Sequence, residues 1–161
     1  MKTVISNILI VMVLAVLTSC GSKEKVVQTA AYREQPTECL GKAMDGSLTL
    51  KVWAKGTSRM EAIREAKKKV ISEVLFQGIA GSGDCNTYPV VDAPNARTQH
   101  EQYFNKFFSD GGGFKKFVDE VEKRSEADNF QGANSQQVYG VVLKVDRPAL
   151  KQRMQKDKII E

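Results

Sequence analysis

The stretch from residue 48 to residue 78 constrains the fold most, because its hydrophobic period changes from two to helical within a few residues. Leu48-Thr49-Leu50-Lys51-Val52-Trp53-Ala54-Lys55 alternates. Leu48, Leu50, Val52 and Ala54 share one face, and Thr49, Lys51, Trp53 and Lys55 share the other. A period of two predicts a strand with one face on a core. Gly56-Thr57 then turns the chain, and Ser58 with Glu61 has the spacing of a capping box. Ala62, Ile63, Ala66, Val70, Ile71, Val74 and Leu75 form one stripe at helical period, and Gly78 supplies a C-terminal stop. Arg59, Arg64, Glu65, Lys67 and Lys68 mostly fall off that stripe, as on a solvated helix face.

The rest of the domain is read from weaker signals. Residues 78–96 are rich in Gly and Pro and predict a long loop; they lack the Gly-Lys-Ser/Thr ending of a phosphate loop. A second helix is expected from about Arg97 to Phe108, with Tyr103, Phe104, Phe107 and Phe108 as a core-facing aromatic stripe. In 114–126, Phe114, Phe117, Val118 and Val121 have helical spacing, so periodicity alone prefers a helix there. Val138-Tyr139-Gly140-Val141-Val142-Leu143-Lys144-Val145 is apolar on both faces for most of its length and predicts a central strand. Asp146 can cap a last helix from Arg147 to Lys156, carrying Leu150 and Met154.

The amino terminus has a different character. Lys2 is its only charge before an apolar run from Ile8 to Leu17. That run is about half of what a helix needs to span the roughly 30 Å hydrocarbon core, so it reads as a secretion signal. Leu17-Thr18-Ser19-Cys20-Gly21 resembles the lipobox of bacterial lipoproteins: an aliphatic residue, two small residues, then cysteine. The resemblance implies that residues 1–19 are removed by signal peptidase II. It implies also that Cys20 carries a thioether-linked diacylglycerol and an acylated amino group. Residues 20–36 then read as a lipidated Cys with a flexible tether, and 37–161 as a single domain, large enough to bury one core unaided. Gly21 is not the Asp that retains some lipoproteins at the inner membrane, which favours the outer membrane in a diderm cell.

With Cys20 lipidated, Cys39 and Cys85 remain. An even pair in an oxidising compartment reads as a disulfide, joining the segment before the first strand to the loop after the first helix. Two buried free thiols are the alternative. Losing Lys2 with the signal lowers the formal charge from +5 to +4. This mildly basic balance suits a domain near an anionic membrane or wall and gives no argument for nucleic acid.

The pattern Leu50-x-Val52-x-Ala54-x-Gly56-x-Ser58-Arg59-x-Glu61-Ala62-x-x-x-Ala66 resembles the strand–turn–helix of small bacterial lipoproteins. These share their domain with the amino-terminal part of the flagellar assembly protein FlgT. The later Asp146-Arg147-Pro148-Ala149-Leu150 is similar too. The resemblance covers roughly residues 46–155, loosely after 78, and it implies a strand near 116–125 hairpinned to 137–145. The expected fold is therefore α+β: a two-layer sandwich with an about three-stranded, mostly antiparallel sheet and two to three helices mainly on one face.

No catalytic constellation is found in this sequence. His100 is the single histidine, and no Gly-x-Ser-x-Gly elbow accompanies any serine. Ser22-Lys23-Glu24-Lys25 matches Ser-x-x-Lys only formally, inside the tether. Soft ligands at close spacing are missing, so neither a metal nor another cofactor is expected. The reading is a non-enzymatic, membrane-anchored binding or assembly module of the envelope, with an envelope protein or a second copy as partner. Lys51, Trp53 and Lys55, on the sheet face away from the helices, are its candidate partner surface; the alternative is that the second helix or the 79–96 loop covers Trp53. The alternative is a cell-wall or carbohydrate-acting hydrolase, which needs two carboxylates converging in a cleft, from candidates such as Asp84, Asp92 and Asp119.

Overall fold

Leu48–Gly56 forms the strand that its alternation predicts, and its pairing with Gln137–Val145 is the centre of the molecule. The computed structural model describes residues 35–121, 130–131 and 137–161. The expected signal, Cys20 and nearly all of the tether lie outside the described residues. In chain order the elements are β1 (Glu38–Lys42), β2 (Leu48–Gly56), α1 (Arg59–Phe76), α2 (Ala96–Gln99), α3 (Glu101–Phe107), β3 (Val118–Glu120), β4 (Phe130–Gln131), β5 (Gln137–Val145) and α4 (Arg147–Lys156). The fold is α+β, with an antiparallel sheet ordered β1-β2-β5-β3, and β4 also paired to β5.

Register explains the core. Leu48 lies opposite Val145, Leu50 opposite Leu143, Val52 opposite Val141 and Ala54 opposite Tyr139. These pairs point to one face, and α1 covers it with Ala66, Val70, Ile71, Val74 and Leu75. Each large aliphatic side chain so buried contributes about 1.5–3 kcal/mol against exposure. Ala62 and Ala66, both fully buried, let the helix lie close on the sheet. Gly56 is needed at the turn between strand and helix: a Cβ there would sit 2.6 Å from the Ala62 backbone nitrogen.

The helix ends are built as their sequence predicts, with one refinement. The Glu61 N–H donates to Ser58 Oγ at 3.3 Å. The return contact of Glu61 goes to Thr57 instead of the cap residue: its Oε2 accepts from the Thr57 N–H at 2.8 Å and from Thr57 Oγ1 at 2.5 Å. These two bonds hold the Glu61 carboxyl below the usual carboxylate range. Asp146 caps α4 by accepting from the Ala149 N–H at 2.9 Å. Beyond α1, Gly78 adopts φ +78°, and a Cβ there would meet the Thr87 carbonyl at 2.2 Å.

Four differences from the sequence expectations have physical causes. The sheet has more strands than three, because β1 is a short edge strand, Glu-Cys-Leu-Gly-Lys, with a register irregularity and no apolar alternation. Cys39 therefore lies on a strand rather than before the first one. The expected helix over 97–108 is two pieces, α2 and α3, that meet at His100 (φ −112°, ψ 33°). In 114–121 the helical spacing of the apolar residues does not make the helix that periodicity alone prefers, and the strand expected near 116–125 is present but shorter. A 3₁₀ turn over Gly113–Phe117 buries Phe114, and the chain then extends as β3, with Val118 opposite Val145. Finally, the 78–96 loop is part of the core. Its Val90 and Val91 N–H groups donate to the Val74 and Leu75 carbonyls at 3.1 and 2.8 Å, and both valines are buried. The loop thus satisfies carbonyls at the end of α1 that have no partner within the helix.

The aromatic stripe packs inward, as expected. Phe104 meets Phe76 edge-on with ring centroids 4.9 Å apart, and Tyr103 stacks on Phe107 at 5.8 Å. Tyr103 also ties α3 to the end of α4, its hydroxyl donating to Asp157 Oδ2 at 2.6 Å. Burial, then this bond to a carboxylate, pushes the Tyr103 hydroxyl up to about 12. Burial opposes ionisation of Asp157, but Tyr103 and Arg153 outweigh it and hold that carboxyl below its usual range.

Candidate functional site

Cys39 and Cys85 form a disulfide with Cα atoms 5.9 Å apart. It fastens β1 to the Gly83–Cys85 turn, and so fastens the start of the described chain to the loop that caps α1. Closing a loop of this length stabilises by about 4 kcal/mol in the chain-entropy model.

The outer sheet face carries the three residues of the candidate partner surface, and register again decides their setting. Trp53 lies opposite Gly140, Lys51 opposite Val142 and Lys55 opposite Val138. The indole extends across Gly140, where a Cβ would sit 3.0 Å from Trp53 Cζ3 and 3.1 Å from Lys51 Cε. Lys51 Nζ lies 4.6 Å from the Trp53 ring centroid, a cation–π contact. The result differs from an open face bearing an exposed indole. Trp53 is 8% exposed and Val138 and Val142 are buried, while Lys51 is half-buried and Lys55 exposed. In this structure Trp53 is a packing residue, and the charged part of the face is what meets solvent.

The other side of the molecule offers two open grooves, one on each flank of α1. The first, about 640 Å³, runs between α1 and the α2–α3 pair. Phe104 and Phe108 line it together with Lys68, Lys69, Arg97, Glu65 and Glu101. Its charges are largely paired. Lys68 Nζ is 3.1 Å from Asp110 Oδ1 and 3.9 Å from Glu65 Oε1, and Lys69 Nζ is 3.9 Å from Glu73 Oε1. The bond from Lys68 is the main cause that holds the Asp110 carboxyl below its usual range.

The second groove, about 680 Å³, lies between the first turns of α1 and the Gly113–Phe117 turn. Met60, Ile63, Arg64 and Lys67 enter it at helical spacing from α1, and Phe114 and Lys115 from the turn. This site was not evident from sequence. Its α1 half could be found in the i, i+3, i+4, i+7 spacing of 60, 63, 64 and 67, but Lys115 joins it only through the tertiary fold.

None of Asp84, Asp92 and Asp119 lines either groove; all three are exposed. His100 sits at the α2–α3 junction, where its carbonyl accepts from the Phe104 N–H. Among the described residues, no cluster of three or more His, Cys, Asp or Glu side chains is placed to hold a metal ion. Among the same residues no helix is long and apolar enough to cross a membrane.

No family model, no curated protein and no solved structure matches this chain.

Proposed function

We propose that the chain is a lipoprotein of the bacterial cell envelope, anchored through lipid on Cys20, whose domain binds or assembles with an envelope partner and performs no catalysis. The observation that carries this reading is the Leu17-Thr18-Ser19-Cys20 motif at the end of the apolar run Ile8–Leu17. The disulfide supports it. Cys39 and Cys85 use each other, so Cys20 is the one cysteine outside the pair. Such bonds persist in extracytoplasmic, oxidising compartments. The outer membrane is the favoured location in a diderm cell, on the grounds of Gly21. The similarity to lipoproteins that share a domain with FlgT points to assembly rather than chemistry. The outer sheet face, with Lys55 exposed and Lys51 stacked on Trp53, is the surface assigned to a protein partner or a second copy.

Growth with labelled palmitate tests the anchor. The wild-type chain should take up label and fractionate with membranes, and Cys20→Ser should do neither. A Cys20→Ser chain that labels and fractionates like the wild type contradicts the reading. For the partner face, Lys55→Glu should lower the yield of crosslinked envelope complex. An unchanged yield removes this face from the proposal.

A further inference from the structure

We propose that the groove between α1 and the Gly113–Phe117 turn docks the phosphate headgroups of an anionic membrane. The inference rests on the anchored reading, because lipid on Cys20 is what would hold the domain beside such a surface.

The groove is cationic. Arg64, Lys67 and Lys115 line the groove against one carboxylate, Glu61. That carboxylate is engaged elsewhere, with Oε2 accepting both the N–H and the hydroxyl of Thr57. The acids nearby are also occupied. Asp110 takes Lys68 at 3.1 Å, and Glu65 lies 3.4 Å from Arg64 and 3.9 Å from Lys68. Among the described residues Lys67 forms no ion pair. Lys115 donates to the Asp110 backbone carbonyl and forms no ion pair among the described residues, although it also feels the Asp110 carboxylate, which Lys68 binds.

The groove is also partly apolar. Met60 lines the same groove and is 82% exposed. Cations beside an exposed apolar side chain match the layer where lipid phosphates meet the first methylenes. A small free anion would use the cations alone.

Position is compatible with docking. Gln35, the first described residue, lies against α1, its carbonyl accepting from Lys69 Nζ at 3.5 Å. The chain back to Cys20 can reach about 50 Å at most. Lys69 lies on the other flank of α1, but a reach of that size is long enough for this groove to face the surface that holds the lipid.

The test uses the mature, lipidated chain in vesicles of phosphatidylcholine, with and without phosphatidylglycerol. Amine acetylation is read lysine by lysine by mass spectrometry. Each cation near an anionic surface multiplies association by about fivefold, so Lys67 and Lys115 should be acetylated about fivefold more slowly, or slower still, when phosphatidylglycerol is present. Lys55 and Lys156, exposed elsewhere, should change little. Lys67→Gln should return Lys115 towards its phosphatidylcholine rate, and added salt should erase the difference. Equal rates in both vesicles overturn the proposal. So does equal slowing at all four lysines, or protection by inorganic phosphate with none by phosphatidylglycerol. Flotation with phosphatidylcholine vesicles reports the Cys20 anchor separately, so failure of the anchor and failure of the groove are told apart.

Discussion

The two faces of the sheet are built from the same two strands and obey different rules. On the inner face, Leu48, Leu50 and Val52 meet Val145, Leu143 and Val141, and α1 closes over them. Every residue there follows the period of its own element. On the outer face the decisive pair is Trp53 and Gly140, opposite one another and 87 positions apart in the chain. Neither residue alone indicates that the indole fills the place of a missing side chain. The inner face is specified by pattern, whereas the outer face is specified by register.

The largest effect should come from the link that lies on neither face. Cys39→Ala with Cys85→Ala should cost about 4 kcal/mol in a denaturant titration. A loss below about 1 kcal/mol would mean that β1 and the capping loop hold together without the bond. Next, Leu50→Ala should cost about 3 kcal/mol, because the cavity opens between Leu143 and the α1 aliphatics. An equal cost from Thr49→Ala, on the other face of the same strand, would break the comparison.

The outer face should respond through coupling. Gly140→Ala should destabilise by about 1–2 kcal/mol when Trp53 is present, since the new Cβ crowds the ring. In a Trp53→Ala background the same change should become neutral or stabilising, as the strand loses an unfavourable glycine. Additive effects would show that the ring does not rest on Gly140. Smaller still, Lys51→Met should cost about 0.5–1 kcal/mol through the lost cation–π contact.

The helical layer adds a pH dependence. Tyr103 keeps its proton to about 12 in the folded chain and releases it near 10 when unfolded. The folded state then binds more protons between those values, so stability falls as pH rises from about 10 to 12. Tyr103→Phe should flatten that fall. An unchanged alkaline limb would assign it to other groups.

These contrasts explain how far the sequence could be read. β2 and α1 were legible from strong periods bounded by Gly56, Ser58 and Gly78, β5 from a continuous apolar run, and α4 from the Asp146 cap with Leu150 and Met154. β1 was not, since a five-residue edge strand with a charge at each end and a single exposed leucine carries no apolar period. In segment 114–121 periodicity alone misled, because a 3₁₀ turn and a strand can bury Phe114 and Val118 at helical spacing; the strand expected near 116–125 is present as β3, paired with β5. The disulfide was legible by counting cysteines once Cys20 was set aside. The burial of Trp53 and the Arg64–Lys67–Lys115 groove were not, because both join residues from distant elements.

The anchor underlies both the proposed function and the groove, and the mass of the protein recovered from membranes tests it most directly. The account predicts a chain that starts at Cys20, heavier than its sequence by a diacylglyceryl group and an amide-linked acyl chain. An unmodified chain, or one that starts at any other residue, would contradict it.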